Sequence, residues 1–343
     1  MPAYLELKDK FGNAMRFGNG GDIWFPPFPM IKDYRQHIKE LRHLELRPDD
    51  VILTGFPKTG SHWHHEILHM LLAGSPEFVR KPEAKEFLDF SPKDELLPPD
   101  HPRVLFTHFR YHHLPLQVWE KKVKVVYLTR NPKDTWVSFY NHVHGHTGVL
   151  AYDASWNQYF ETMMDMGYYY GDWFDYVLDW EAKLSADKEL NFIISSFEDL
   201  KLDPVGQIEK LDKFLGLNRG RELCERIAEA CKFTNMKAVK DAQMPSEMKG
   251  KIWKENAPGF YRKDPIPSTS TEEQQHKDPD LEVLKQFDLR LEFGPCIGIT
   301  RKERWERAEK HGLSPPQEVL DILLRHPDND TYLQRSVLEF VIY

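Results

Sequence analysis

Short apolar runs alternate with amphipathic stretches along most of the chain. Four runs have the length and composition of buried strands, at residues 51–54, 104–107, 123–129 and 192–195. Between or after them, apolar residues recur at helical spacing at residues 61–73, 132–144, 173–184 and 204–215. Strands that alternate with helices predict an α/β fold, in which a parallel β-sheet is flanked by helices on both faces. Such sheets bind ligands at the carboxyl ends of their strands.

The last part of the chain has a different pattern. Residues 242–279 are rich in Lys, Pro, Ser, Thr and Glu, which predicts a long loop or a mobile lid. Three further helical patterns follow, at residues 301–311, 315–325 and 332–342. We therefore predict one α/β domain over residues 1–294 and a helical C-terminal extension over residues 295–343.

Composition narrows the class of protein. Lys and Arg number 46 and Asp and Glu 54, and the net charge of -8 argues against a nucleic-acid partner. Three cysteines, Cys224, Cys231 and Cys296, predict reduced thiols. The first residues lack the apolar stretch of a signal peptide, and no run is long enough to span a membrane. We expect a cytoplasmic protein with no membrane partner.

The most informative segment runs from Val51 to Trp63 and reads VILTGFPKTGSHW. A strand turns there through glycine and proline into a helix that begins near Ser61. The first N–H groups of a helix lack intrahelical partners, so together they can bind an anion. Lys58 adds a positive charge and Ser61 a hydroxyl. The segment predicts a phosphate cradle, although its spacing differs from that of the common nucleoside-triphosphate loop.

A second candidate phosphate site follows the strand at residues 123–129. Arg130 stands at the strand end, and Pro132 can begin a helix that places Ser138 about two turns in. The forked guanidinium of arginine suits phosphate. The alternative is a strand-end arginine paired with Asp134. Two anion sites at strand ends fit a nucleotide that is phosphorylated at both its 3′ and 5′ ends.

Both segments resemble the nucleotide-binding segments of cytosolic sulfotransferases, and the resemblance extends from about residue 25 to residue 264. It implies that residues 1–294 are a P-loop-like sulfotransferase domain that binds 3′-phosphoadenosine 5′-phosphosulfate (PAPS). The 5′-phosphosulfate would be held by Lys58, Thr59, Gly60, Ser61, His62 and Trp63. The 3′-phosphate would be held by Arg130 and Ser138. Adenine would stack on Trp63 and Phe233 near Met236, and further nucleotide contacts would come from Phe197, Cys231, Arg262, Lys263 and Asp264.

The resemblance also assigns a catalytic base. Residues 103–108 read RVLFTH and are similar to the family's strand that ends in Lys-Thr-His, which makes His108 the base. Histidine suits proton removal from an acceptor because its pKa lies near neutrality. Lys58 would stabilise the leaving group. His112 and His113 are nearby alternatives to His108.

Several positions depart from the family pattern. Phe106 replaces a lysine next to the transferred group, so either activity is reduced or another group such as His62 compensates. Phe197 replaces a tyrosine and Cys231 a common threonine. Asp264 replaces the glycine of an Arg-Lys-Gly motif, which weakens the assignments of Arg262 and Lys263.

Other functions fit single motifs. His65, Glu66 and His69 form the His-Glu-x-x-His pattern of zinc metallopeptidases, with Glu86 as a possible third ligand. A nucleotide kinase is disfavoured by the loop spacing. A non-catalytic protein that binds 3′,5′-adenosine bisphosphate (PAP) is a further alternative. His142, His144 and His146 favour a solvated or pocket-lining cluster.

We predict sulfuryl transfer from PAPS, without a metal, to a small lipophilic acceptor, either a phenol, a steroid, another alcohol or an amine. Aromatic residues at 24–28 and 168–173 could shape its pocket. A homodimer is possible.

Overall fold

The computed structural model describes residues 4–78, 83–98, 102–186, 190–243, 253–254, 279–290, 293 and 300–327. The chain divides into two compact units, Met1–Lys263 and Asp264–Tyr343. Among the described residues, no helix is both long and apolar enough to cross a membrane.

A four-stranded parallel sheet forms the centre of the first unit. Its strands are Val51–Gly55 (β4), Val104–Thr107 (β5), Lys124–Thr129 (β6) and Phe192–Ser196 (β7), in the order β5-β4-β6-β7. All four predicted strands are therefore confirmed. A smaller antiparallel sheet precedes them, formed by Leu5–Lys8 (β1), Ala14–Asn19 (β2) and Trp24–Phe25 (β3).

Helices cover both faces of the parallel sheet, as predicted. Those of the first unit are Tyr34–Arg42 (α1), Ser61–Ala73 (α2), Gln117–Glu120 (α3), Pro132–Gly145 (α4), Trp156–Met166 (α5), Trp173–Ala186 (α6), Phe197–Leu202 (α7), Pro204–Leu215 (α8), Arg221–Ala230 (α9) and Phe233–Gln243 (α10). Because strand side chains alternate between faces, Leu53 and Phe106 pack in a core with residues of α2, α8 and α9. Tyr127, on the other face, stacks on Trp180 of α6 with ring centroids 4.9 Å apart.

The second unit has a helical core of its own. Its described helices are Pro279–Leu289 (α11), Arg301–Lys310 (α12) and Gln317–Arg325 (α13), which confirm two of the three C-terminal helical patterns. Leu284, Phe287, Trp305, Val319 and Ile322 are buried together. Since this core includes residues of α11, the units divide after Lys263, earlier than the predicted boundary after residue 294. The third pattern, at residues 332–342, lies outside the described residues.

Candidate active site

The loop between β4 and α2 is shaped for an anion. Lys58 and Gly60 have φ angles of 72° and 100°, in the left-handed region that favours glycine. A Cβ at Gly60 would lie 2.8 Å from Phe197 Cδ2, so that position has no room for a side chain. The Thr59 hydroxyl donates to the Phe56 carbonyl at 2.7 Å and closes the turn. The first N–H groups of α2 thus meet beside Lys58, as the phosphate cradle requires.

His64 braces this loop, a role that the sequence did not reveal. Its Nδ1 donates to the Gly60 carbonyl at 3.0 Å, because a carbonyl oxygen can only accept. Burial lowers the pKa of His64 to about 4, so the ring is neutral at pH 7. Its Nε2 therefore accepts a hydrogen bond from the Ser195 hydroxyl of β7 at 2.9 Å. A neutral histidine thus ties the loop to a strand 131 residues later in the chain.

Two of the candidate phosphate-binding residues, Arg130 and Lys58, are in contact. Arg130, at the end of β6, donates from Nη1 to the Lys58 carbonyl at 2.8 Å. Its guanidinium carbon also lies 4.2 Å from the centre of the Phe197 ring. Ser138 is half-buried in the second turn of α4, which begins at Pro132 as predicted. Arg130, which is expected to bind the 3′-phosphate, thus also stabilises the left-handed backbone conformation of Lys58.

The predicted adenine contacts have different surroundings. Trp63 is half-buried and packs edge-on against Phe197, with ring centroids 5.6 Å apart. Phe233 is half-buried at the start of α10, while Met236 is 7% exposed. The Cys231 thiol lies in the core, 3.7 Å from Met70 Sδ. Arg262, Lys263 and Asp264 lie outside the described residues.

The His108 ring is held by one nitrogen, which leaves the other able to accept a proton. Its Nδ1 donates to the carbonyl of Gly55, the last residue of β4, at 2.8 Å. The Nε2 of the neutral ring consequently carries the lone pair that can accept a proton. Burial lowers the pKa of His108 to about 4, with smaller contributions in the same direction from His62 and Lys58. The basic form is therefore the populated one at neutral pH.

Asp89 supports His108 and was also missed by sequence reasoning. It is fully buried, and Oδ2 accepts from the His108 backbone N–H at 2.9 Å. Its other oxygen accepts a short hydrogen bond from the Thr107 hydroxyl. Burial raises the pKa of Asp89 to about 7. The carboxyl group fixes the backbone at the end of β5 and does not contact the imidazole ring through either of these bonds. His112 and His113, the alternative bases, instead lie 3.2 and 3.1 Å from the carboxylate of Asp22.

The position of the missing lysine is filled by an aromatic stack. Phe106 is 2% exposed and lies parallel to Phe87 with ring centroids 4.3 Å apart. His62 meets Phe106 edge-on at 5.8 Å. Burial lowers the pKa of His142 well below its usual value, and Lys58, His146 and His62 add smaller effects in the same direction.

The histidines of α4 have aromatic partners. The ring of His146 lies 4.4 Å from Trp253 and 4.8 Å from His142, while His144 stacks on Tyr140 at 5.0 Å. His142 and His144 are half-buried, and His146 is 8% exposed. This cluster is packed against aromatic rings, which favours the pocket-lining alternative over the solvated one.

Similarity to known proteins follows the same segments. A family model of the sulfotransferase domain matches residues 48–265. Mouse sulfotransferase 6B1 is 32% identical over 215 residues, which are 62% of this chain and 70% of that protein. Rat sulfotransferase 1A1 is 31% identical over 237 residues, or 65% of this chain and 79% of that protein.

Solved structures agree with this result. Mouse sulfotransferase SULT7A1, complexed with PAP, superposes with a TM-score of 0.51 at 26% identity and covers 68% of this chain and 76% of its own. Retinol dehydratase, in complex with androsterone and PAP, shares the fold with a TM-score of 0.57 at 17% identity, over 76% of this chain and 82% of its own.

A second family model matches a different part of the chain. The model of DNA polymerase delta, subunit 4, matches residues 235–335. It overlaps the sulfotransferase match over residues 235–265 and continues through the described helices of the second unit.

Proposed function

Because the chain belongs to the cytosolic sulfotransferase family, we propose that it transfers the sulfuryl group of PAPS to a hydroxyl or amine of a small lipophilic acceptor. The observation that carries this proposal is the contact of two side chains with the short segment that ends at Lys58. Arg130 binds the Lys58 carbonyl, and His108 binds the carbonyl of Gly55, three residues earlier. This arrangement would hold a doubly phosphorylated adenosine between Arg130 and Lys58, with its sulfuryl group beside His108.

The reaction is an in-line displacement at sulfur. The acceptor oxygen or nitrogen forms a bond to sulfur as its proton passes to Nε2 of His108. The bond between sulfur and the bridging oxygen of the 5′-phosphate breaks, and PAP departs with the electron pair. Lys58 and the N–H groups at the start of α2 stabilise the charge that builds on this leaving group.

His62 compensates for the lysine that Phe106 replaces. It lies edge-on to Phe106 and close enough to His108 to influence its pKa. An imidazole N–H in this position can donate to a sulfuryl oxygen. Aromatic rings pack against His108, since the rings of Phe87 and Tyr170 lie 5.6 and 5.2 Å from the imidazole. Aromatic rings beside the base favour an acceptor that is a phenol, a steroid or another apolar alcohol or amine.

Nucleotide binding provides the first test. PAP should raise the melting temperature of the chain, whereas ATP, which lacks a 3′-phosphate, should leave it nearly unchanged. Arg130→Ala removes a charge-assisted contact and should weaken PAP binding about 10- to 100-fold. Calorimetric titration measures both effects, and Lys133→Ala, which changes an exposed lysine on α4, is the matched control. Equal shifts with PAP and ATP, or an unaffected Arg130→Ala variant, would contradict the donor assignment.

Turnover separates catalysis from binding alone. The non-catalytic alternative predicts PAP binding with no transfer of label from PAPS to any member of an acceptor panel. Cytoplasmic location and a homodimer stay proposals, which fractionation and light scattering can check.

We infer a second function for the second unit: assembly with a DNA polymerase of the delta type. Two observations favour it, the match over residues 235–335 and the separate hydrophobic core of α11 to α13. Ion pairing also orders this unit internally, since Arg301 binds Asp288 at 2.7 Å and both are buried. Leu313 and Leu324 are 46% and 57% exposed and offer apolar surface to a partner.

Co-elution tests this assembly. The full chain should elute with purified DNA polymerase delta that lacks subunit 4, and the Leu313→Asp/Leu324→Asp double variant should lose the complex. Leu178→Asp is the control, because Leu178 is similarly exposed (45%) on the first unit. Separate elution of the wild-type chain would contradict this function.

A further inference from the structure

His65, His69 and Glu86 bring three metal-binding groups to one point beside the aromatic stack. The two histidines are one turn apart on α2, and Glu86 ends a 3-10 turn, Glu83–Glu86. His65 Nε2 and His69 Nε2 lie 3.0 and 2.6 Å from the same oxygen, Glu86 Oε2. The ligand atoms of all three side chains lie within 4.8 Å of one another.

We propose that these three side chains bind one Zn²⁺ ion. Two imidazole nitrogens and a carboxylate oxygen are common zinc ligands at about 2.0–2.2 Å, and three such ligands leave a fourth position open. Tetrahedral ligands at that distance stand roughly 3.3 Å apart. The observed separations of 3.0 and 2.6 Å therefore need to open by less than about 1 Å to admit the ion.

The surroundings of the three side chains suit a bound metal ion. Glu86 and His65 are each 1% exposed, so a metal there would be shielded from solvent. Glu86 Oε1 accepts from the Val104 backbone N–H at 3.3 Å, which orients the carboxylate in the way that outer-shell partners orient metal ligands. His69 is the most accessible ligand, with 15% of its side chain exposed, and it marks the entry side. A bound zinc ion would replace the two hydrogen bonds that His65 and His69 make with Glu86 Oε2.

Zinc here would serve structure rather than peptide hydrolysis. In a His-Glu-x-x-His peptidase the glutamate acts as general base on the metal-bound water. Glu66 is fully buried, and its carboxylate forms a short ion pair with Lys240 of α10. It is therefore committed to another partner, and the peptidase alternative is not supported.

The ion would link two parts of the transfer site. The helix α2 begins at the phosphate loop, while Glu86 directly precedes Phe87, and Asp89, which binds the His108 backbone, follows shortly after. A zinc bridge between His69 and Glu86 would fix the position of the phosphate loop relative to Asp89, which supports His108. This inference does not depend on the donor nucleotide, and it departs from the expectation that the protein needs no metal.

Metal titration tests the site on the full chain. After treatment with a chelator, the chain should bind one Zn²⁺ per molecule in competition with a chromophoric chelator, and Co²⁺ should give the intense visible bands of a four-coordinate ion. Glu86→Gln and His69→Gln should each weaken zinc binding at least 10- to 100-fold. His112→Gln is the control, because His112 belongs to the other cluster that could hold a metal, with His113 and Asp22.

Two results would overturn the proposal. One is a wild-type chain that binds no stoichiometric zinc and shows no four-coordinate cobalt spectrum, a measurement that needs no variant to fold. The other is zinc affinity that is unchanged in Glu86→Gln or is lost in His112→Gln. An unchanged circular dichroism spectrum of the glutamine variants shows that a loss of zinc is not a loss of fold.

Discussion

Replacing His108 by alanine is expected to lower kcat about 10²- to 10⁴-fold, because the acceptor proton then has no positioned base. The affinity for PAP should change little, since the ring contacts the loop through one backbone hydrogen bond to Gly55. Labelled PAPS turnover and PAP titration measure the two quantities separately. His112→Ala is the control, because that ring lies beside Asp22 and not beside the loop. Turnover of His108→Ala at the wild-type rate would show that another group takes the proton.

The pH profile reports on the same residue. Only the neutral ring can accept a proton, and burial lowers the pKa of His108 to about 4. The rate constant kcat/KM should therefore be independent of His108 ionisation at neutral pH and fall as the pH drops through about 4. Because the Lys58 charge contributes to the lowered pKa, Lys58→Ala should move this acid limb to higher pH.

The second large effect concerns Lys58. Lys58→Ala should lower kcat about 10²- to 10³-fold, because the ammonium group offsets charge that develops on the leaving phosphate during bond breaking. The backbone strain is similar for both residues, since lysine and alanine both carry a Cβ at the observed φ of 72°. A loss of turnover without a loss of fold is therefore the expected result, and circular dichroism checks the fold.

Lys58→Arg is the matched variant. It keeps the charge at a different reach and should retain more turnover than Lys58→Ala. If the alanine variant loses PAP affinity but keeps its kcat, the lysine binds the ground state and its role in the leaving-group step is contradicted.

The parallel sheet was predictable because each strand is a short, continuous apolar run. The length of the apolar runs identified β4 to β7, and the helical spacing of apolar residues identified the helices between and after them. The antiparallel sheet of β1 to β3 was not predicted. Its strands are short, and β2 contains a glycine, which weakens the strand signal.

Candidate site residues could be selected from the sequence where each lies in a short motif directly after a strand. Lys58 and Arg130 follow strands that are neighbours in the sheet, and they meet in the structure. His64 and Asp89 were missed because their roles depend on pairs made by folding, to Ser195 and to the His108 backbone. Phe106 was read only as a lost cation, whereas the structure shows that Phe87 packs against it. The packing of α11 with α12 and α13 joins residues far apart in the sequence, so the local pattern of α11 does not reveal it.

One measurement tests the central claim most directly, a crystal structure of the chain with PAP. Our account predicts the 5′-phosphate on Lys58 and the first N–H groups of α2, with the 3′-phosphate of the same molecule on Arg130 and Ser138. A nucleotide bound in another cleft, or one that leaves Arg130 turned away from its 3′-phosphate, would contradict it.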